Sequence, residues 1–241
     1  MINYFVIHNL EQDRYNNIVR LLEENEIDLK NVTFITHPNK NELTLDIKRK
    51  SVQKKSKIKD GWISCSYKHY LALEMSVNQG SEYSVIMEDN IGGFYEKIPD
   101  RLKKYLNELP EDWGVVYDSV WGEYDELFEE EISDEKLVYK KSNEITRNAQ
   151  GKIISHGGTR AAQFYFINKK SAKIMYENFL PFNHSADMWM NEVLRKTNLQ
   201  SYWSEPSLVT SKFNKKTSTN LSKINLPYLI KSKFINLYLG I

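Results

Sequence analysis

The 241-residue chain carries 33 lysines and arginines against 32 aspartates and glutamates, a formal charge of +1, which argues against wholesale binding to a nucleic-acid backbone. Its 41% hydrophobic and 12% aromatic content suffices for a buried core and excludes a disordered chain. The single cysteine, Cys65, excludes a disulfide framework or a thiolate zinc cluster within one chain.

Residues 3–8, NYFVIH, are apolar and β-rich and read as a buried strand. Residues 13–27 follow as a helix with Ile18, Leu21, Leu22 and Ile27 on one face and Asp13 as N-cap. Residues 31–36, NVTFIT, give a second strand, closed by the turn signal HPNKN, so the chain opens β-α-β, the unit of a parallel sheet. The polar, basic stretch 40–60 predicts a surface loop with little regular structure. Residues 62–80 predict a helix with Ile63, Tyr67, Tyr70, Leu71 and Met75 as its stripe and Gly80 as its end. YSVIME, 83–88, is a third strand, which sets Glu88, Asp89 and Asn90 at a carboxyl end, where open α/β sheets bind ligands.

Beyond it lie a helix over 100–109 and a strand over 113–120. Residues 122–152 form a polar excursion suited to a lid or an acceptor-side loop. A strand over 161–167, helices over 169–179 and 186–197, and a last strand over 201–210 complete the pattern. The whole predicts an α/β fold with a mostly parallel central sheet flanked by helices, in one domain over 1–220, followed by a helical or extended tail over 221–241. No apolar run reaches the ~18–20 residues of a membrane span, and the N-terminus lacks signal-peptide features. A cytoplasmic protein is expected, with peripheral membrane contact open to the basic segment 48–58 and the lysines of the tail.

Two adjacent carboxylates in a partly dry cleft repel each other, and one of them protonates unless something compensates. A divalent cation such as Mg²⁺ or Mn²⁺ does so, using oxygen ligands and substrate phosphates. The competing reading is an acidic strand end that caps a turn, with Gly92 and Gly93 supplying positive φ.

The order of motifs resembles family-25 glycosyltransferases, the group of bacterial lipooligosaccharide and collagen galactosyltransferases. VIHNLEQDR (6–14) looks like the family's opening strand with its Asn-Leu and Asp-Arg pairs. In GWISCSYKHYLAL (61–73), Gly61, Cys65 and His69 fall where the family has Gly, Cys and His. YSVIMEDNIGGF resembles the strand ending Glu-Asp-Asp, and WGVVYDSVWG the strand after it. TRAAQFYFINKKSAKIM, SADMWM with Asp187, and SYWSEPSLVTSKFNKKTSTN are similar to the closing stretches. The likeness runs from about residue 3 to about residue 220. Two departures stand out: Asn90 replaces the second Asp, and Lys68 replaces a Ser.

This resemblance implies a GT-A-like nucleotide-sugar transferase that moves a hexose, galactose or glucose, from a UDP-sugar to an acceptor hydroxyl with inversion. The acceptor would be a glycan, a lipid-linked glycan or a protein hydroxyl. Asn9 and Arg14 are then candidates for the uridine or diphosphate, and Asp89, helped by Glu88 or Asn90, for Mn²⁺ or Mg²⁺. Asp187 is the first candidate for the base that deprotonates the acceptor, and Glu205 the second. His69 either touches the diphosphate, orients a carboxylate or serves only structure. Trp113, Trp189 and Trp203 read as core, and Trp121 as the tryptophan that faces an acceptor. Because Asn90 adds no charge, a silent homologue that binds nucleotide sugar without turnover, or a partner-binding domain of the same fold, is the alternative.

Overall fold

The computed structural model describes residues 2–119, 138–141, 146–147, 153–155, 158–159, 161–205 and 207–211. Strand β1 (Ile2–Ile7) lies between β2 (Val32–Ile35) and β3 (Tyr83–Glu88), parallel to both. Next in the sheet come β9 (Phe164–Asn168), β5 (Val115–Tyr117), β10 (Ser201–Glu205) and β6 (Val138–Lys141), giving the order β2-β1-β3-β9-β5-β10-β6. Strands β9 and β6 run against the other five, so the sheet is mixed but mostly parallel in direction, as expected. Two short pairs stand apart: β4 (Ile91–Phe94) with β11 (Val209–Ser211), and β7 (Thr146–Arg147) with β8 (Ile153–Ser155).

Period-two alternation gives each sheet face its own core. Phe5, Ile7, Ile86, Tyr165 and Ile167 point to one face, covered by α3 (Asp60–Asn78), α5 (Lys169–Phe179) and α6 (Ala186–Thr197). Tyr4, Val6, Val85, Met87, Phe164 and Phe166 point to the other, covered by α1 (Gln12–Glu24) and α4 (Ile98–Glu108). Trp113 and Trp203 are core residues, and Trp189 is half-buried with its indole N–H on the Phe179 carbonyl. Trp121 lies outside the described residues, as do 120–137 and everything after 211.

Several expectations need correction. The stretch 40–60 is not irregular: it holds a 3-10 turn over Lys40–Glu42 and α2 (Leu45–Ser51), whose first turn Thr44 caps by accepting from the Ile47 amide. Helix α1 begins one residue before Asp13, so Asp13 is a first-turn charge and not the cap. Gly92 and Gly93 lie in strand β4 without positive φ; among the described glycines only Gly158 has it, at 78°. The predicted strand over 201–210 is two strands in two sheets, β10 ending at Glu205 and β11 starting at Val209. Within the predicted excursion, β6 returns to extend the main sheet instead of leaving it. Among the described residues, no helix is long and apolar enough to cross a membrane.

Candidate functional site

A strand alternates faces, so consecutive residues at its end point to opposite layers. Glu88 shares its face with Ile86 and meets α3, whereas Asp89 follows Met87 and meets α1. The Asp89 amide still donates to the Ile7 carbonyl, which carries the β1 ladder one residue past the strand. The adjacent acids therefore do not face each other. The fold separates them by the thickness of a sheet end and gives each its own partners.

Asp89 is buried. His8 Nδ1 donates to its Oδ2 at 2.8 Å, the Asn9 amide to the same oxygen at 3.2 Å, and Arg14 to its Oδ1 at 2.8 Å. Burial alone would raise its pKa, but these donors and the Arg14 charge outweigh burial and hold it below the ordinary carboxylate range. Arg14 also pairs with Glu11 at 2.9 Å. The guanidinium reaches Asp89 because Arg14 continues the buried stripe of α1, four residues ahead of Ile18.

Lys68 is fully buried in α3 and donates to the His8 carbonyl at 2.7 Å, to Asn39 Oδ1 at 2.8 Å and to Asn9 Oδ1 at 2.9 Å. Burial lowers its pKa to about 8. This lysine ties three segments together: the end of β1, the turn after β2, and α3.

Glu88 is only partly covered. Its Oε1 lies 3.5 Å from His69 Nε2 and 3.6 Å from Cys65 Sγ, and its Oε2 accepts from the Asn90 amide at 3.2 Å. Gln163 in turn holds Asn90 Oδ1 at 2.8 Å. Burial, followed by the Glu88 carboxylate, pushes the Cys65 thiol well up, and the charge of Asp187 adds to the effect. His69 is fully buried, with Nδ1 3.1 Å from the Tyr165 hydroxyl.

These groups wall a cavity of about 340 Å³, within the range of ligand clefts. Its lining includes Asn9, Arg14, Glu88, Asp89 and Asn90 together with Asn39, and the first turns of α3 at Gly61, Ser64 and Cys65. Five of the eight residues singled out in the sequence thus share one wall. His69 lies directly behind it, against Glu88. Asp187 sits in the first turn of α6, its Oδ1 accepting from Ser185 at 2.6 Å, and its charge reaches Cys65 and Tyr117. The backbone of Glu205 ends β10, three strands along the sheet from β3, or about 14 Å away at ordinary strand spacing. It is not brought to this cleft.

Both Asp89 oxygens are already bonded within the protein and Arg14 matches its charge, so a cation at Asp89 would share that carboxylate with the guanidinium. Glu88 also presents its carboxylate to the cavity, and among the described residues no lysine or arginine pairs with it. His8, Lys68, Asn39 and Gln163 are site residues that the sequence reading did not assign. Arg14 and Lys68 carried a signal, since each is a cation at a core-facing helical position.

A polar cleft at the carboxyl ends of adjacent parallel strands is the place where open α/β sheets hold their ligands. Sequence comparison then gives the family: residues 1–190 match glycosyltransferase family 25 (LPS biosynthesis protein), and the chain belongs to that family. No curated protein sequence matches it. Among solved structures it is similar to one from Bacillus anthracis described as a glucose-1-phosphate thymidylyltransferase in complex with a sucrose. The two share 12% identity over 88% of this chain and 89% of that one, at a TM-score of 0.42, a partial likeness of shape.

Proposed function

We propose that this glycosyltransferase moves a hexose, galactose or glucose, from a UDP-sugar to a hydroxyl of a glycan acceptor with inversion. The observation that carries the reading is the cleft between β1, β3 and α3, which gathers Asn9, Arg14 and Glu88 at the carboxyl ends of the strands in a chain of this family. The diphosphate would lie along the first turns of α3, at the positive end of that helix's dipole, near Arg14 and the Asn9 and Asn39 amides clamped by Lys68. Asn9 and Arg14 would position the donor, and each is itself held by Asp89.

Transfer with inversion is a single displacement. The acceptor oxygen bonds to the anomeric carbon as the bond from that carbon to the UDP oxygen breaks, and the acceptor proton passes to a carboxylate. Asp187 is the residue proposed to take it, oriented by Ser185 and by the Thr159 contact to its carbonyl. The donor set also fits a divalent cation, with Glu88 rather than Asp89 as its carboxylate and Asn90 beside it. When bound, such a cation neutralises charge on the departing diphosphate.

The test is UDP release from UDP-galactose and UDP-glucose, with and without divalent cation, for the unmodified chain and for Glu88→Gln and Asp187→Asn. Turnover of one donor that both substitutions abolish supports the reading. No turnover of either donor, with no rise in melting temperature on adding UDP, overturns it.

A further inference from the structure

Three residues around the cleft make long hydrogen-bond contacts whose geometry also suits a metal ion. Cys65 and His69 sit four residues apart on α3 and so share one face, opposite Glu88 at the end of β3. Cys65 Sγ, His69 Nε2 and a Glu88 oxygen all lie within 4.8 Å of one another. The separation from Glu88 Oε1 is 3.6 Å for the sulfur and 3.5 Å for the nitrogen. A charge-assisted N–H···O⁻ bond closes to about 2.7–2.9 Å, so 3.5 Å is slack for a histidine against a carboxylate. Tetrahedral zinc with ordinary bond lengths sets its ligand atoms about 3.6 Å apart for sulfur and oxygen, and about 3.4 Å apart for nitrogen and oxygen. The two spacings to Glu88 match those edges.

The surroundings agree. His69 Nδ1 meets the Tyr165 hydroxyl at 3.1 Å, the outer hydrogen bond that fixes a metal-binding imidazole with Nε2 toward the ion. The two rings also stack, 5.9 Å between centroids. Cys65 and Glu88 both line the cavity, so a fourth coordination position would open onto the donor cleft. Three protein ligands and one open position are the pattern of a catalytic rather than a structural zinc site.

We propose that Cys65, His69 and Glu88 form a site for a zinc-class divalent ion on the wall of the cleft. Thiolate and imidazole select Zn²⁺ or Co²⁺ over Mg²⁺, which prefers carboxylate and water. The proposal deepens the metal-assisted reading above and rests on it only for the ion's task; binding of the ion is a separate matter, measured without any sugar nucleotide.

Cys65 is the only cysteine, so a thiolate signal from the intact chain reports this site alone. The full chain, stripped by chelator, is titrated with Co²⁺. One equivalent should give a thiolate-to-cobalt charge-transfer band and the intense visible bands of tetrahedral cobalt, both bleached by one equivalent of Zn²⁺. Cys65→Ser should lose the band, and Cys65→Ser and His69→Gln should each weaken zinc binding by more than about tenfold, since even outer-sphere partners account for that much. On the unmodified chain, zinc should slow alkylation of Cys65 by iodoacetamide, a readout that does not depend on a variant folding. A cobalt spectrum with no charge-transfer band, or alkylation unchanged by zinc, overturns the proposal. That outcome leaves the transferase reading standing with an oxygen-bound ion, whereas loss of UDP release with the cobalt band intact removes the transferase reading alone.

Discussion

Arg14 donates to Asp89 at 2.8 Å across 75 positions of sequence, and both side chains are almost wholly withdrawn from water. The pair joins α1 to the end of β3, and His8 closes the second oxygen of the acid from β1. Removing one member of a buried ion pair leaves the other uncompensated, at a cost of about 3–5 kcal/mol. Asp89→Ala is therefore expected to lower stability by that order, read as a shift in urea midpoint. A variant with an unchanged midpoint would show that the pair does not hold these elements together.

The same carboxyl sets an acid limit. Its folded-state pKa lies below the unfolded value of about 3.9, so its contribution is complete above that pH and is lost as pH falls through the folded value. Urea midpoints measured from pH 6 down to pH 3 should fall for the unmodified chain and fall less steeply for Asp89→Asn. Parallel curves would remove Asp89 from the acid response.

Lys68 moves stability in the same direction, over a more alkaline window. Its amine titrates near 8 in the folded chain and near 10.4 when unfolded, so between those values the unfolded chain binds more protons and stability rises with pH. Relative to Lys68→Met, the unmodified chain should gain stability between pH 7.5 and pH 9.5. Lys68→Met should also raise the KM for donor about tenfold, because Asn9 and Asn39 lose their common clamp. A donor KM equal to that of the unmodified chain would confine Lys68 to a role in stability.

Asp187→Asn keeps the shape of the side chain and its acceptor oxygen for Ser185 but cannot take a proton. The expected result is a fall in kcat of about 10²–10⁴ with donor KM nearly unchanged. Equal loss of donor affinity would mark Asp187 as part of the binding wall instead.

Gly114 tests the packing behind β5. A Cβ there would stand 2.7 Å from the Gln200 carbonyl and 2.7 Å from Ser171 Oγ, with Leu199 at 3.1 Å. The Gly114 amide donates to that same carbonyl, so backbone would have to move. Gly114→Ala is expected to cost about 1–3 kcal/mol, seen as a lower melting temperature. An unchanged melting temperature would mean that β5 and the turn before β10 yield freely.

The strands and helices around the cleft were legible because their apolar periods are regular: the stripe of α1 and the alternation along β1, β3 and β9 are written in residue type alone. Adjacency in the sheet was not, since β9 enters between β3 and β5 from more than 40 residues downstream of β5. The acidic motif was visible as a candidate, but the separate surroundings of its two acids were not. Glu88 and Asp89 look alike in sequence, and only the sheet's two faces tell them apart. Helix α2 was missed because a short helix held by the Thr44 cap has almost no apolar stripe to read. Gly92 and Gly93 looked like a turn because their partner, β11, lies more than a hundred residues away.

That last pairing has an outcome for the far end of the chain. Ser211 stands opposite Ile91, the neighbour of Asn90 on the cleft wall. The β4–β11 pair therefore carries Ser211, from late in the sequence, to the rim of the candidate cleft, whereas the amino-terminal residue of β1 stands at the other end of that strand.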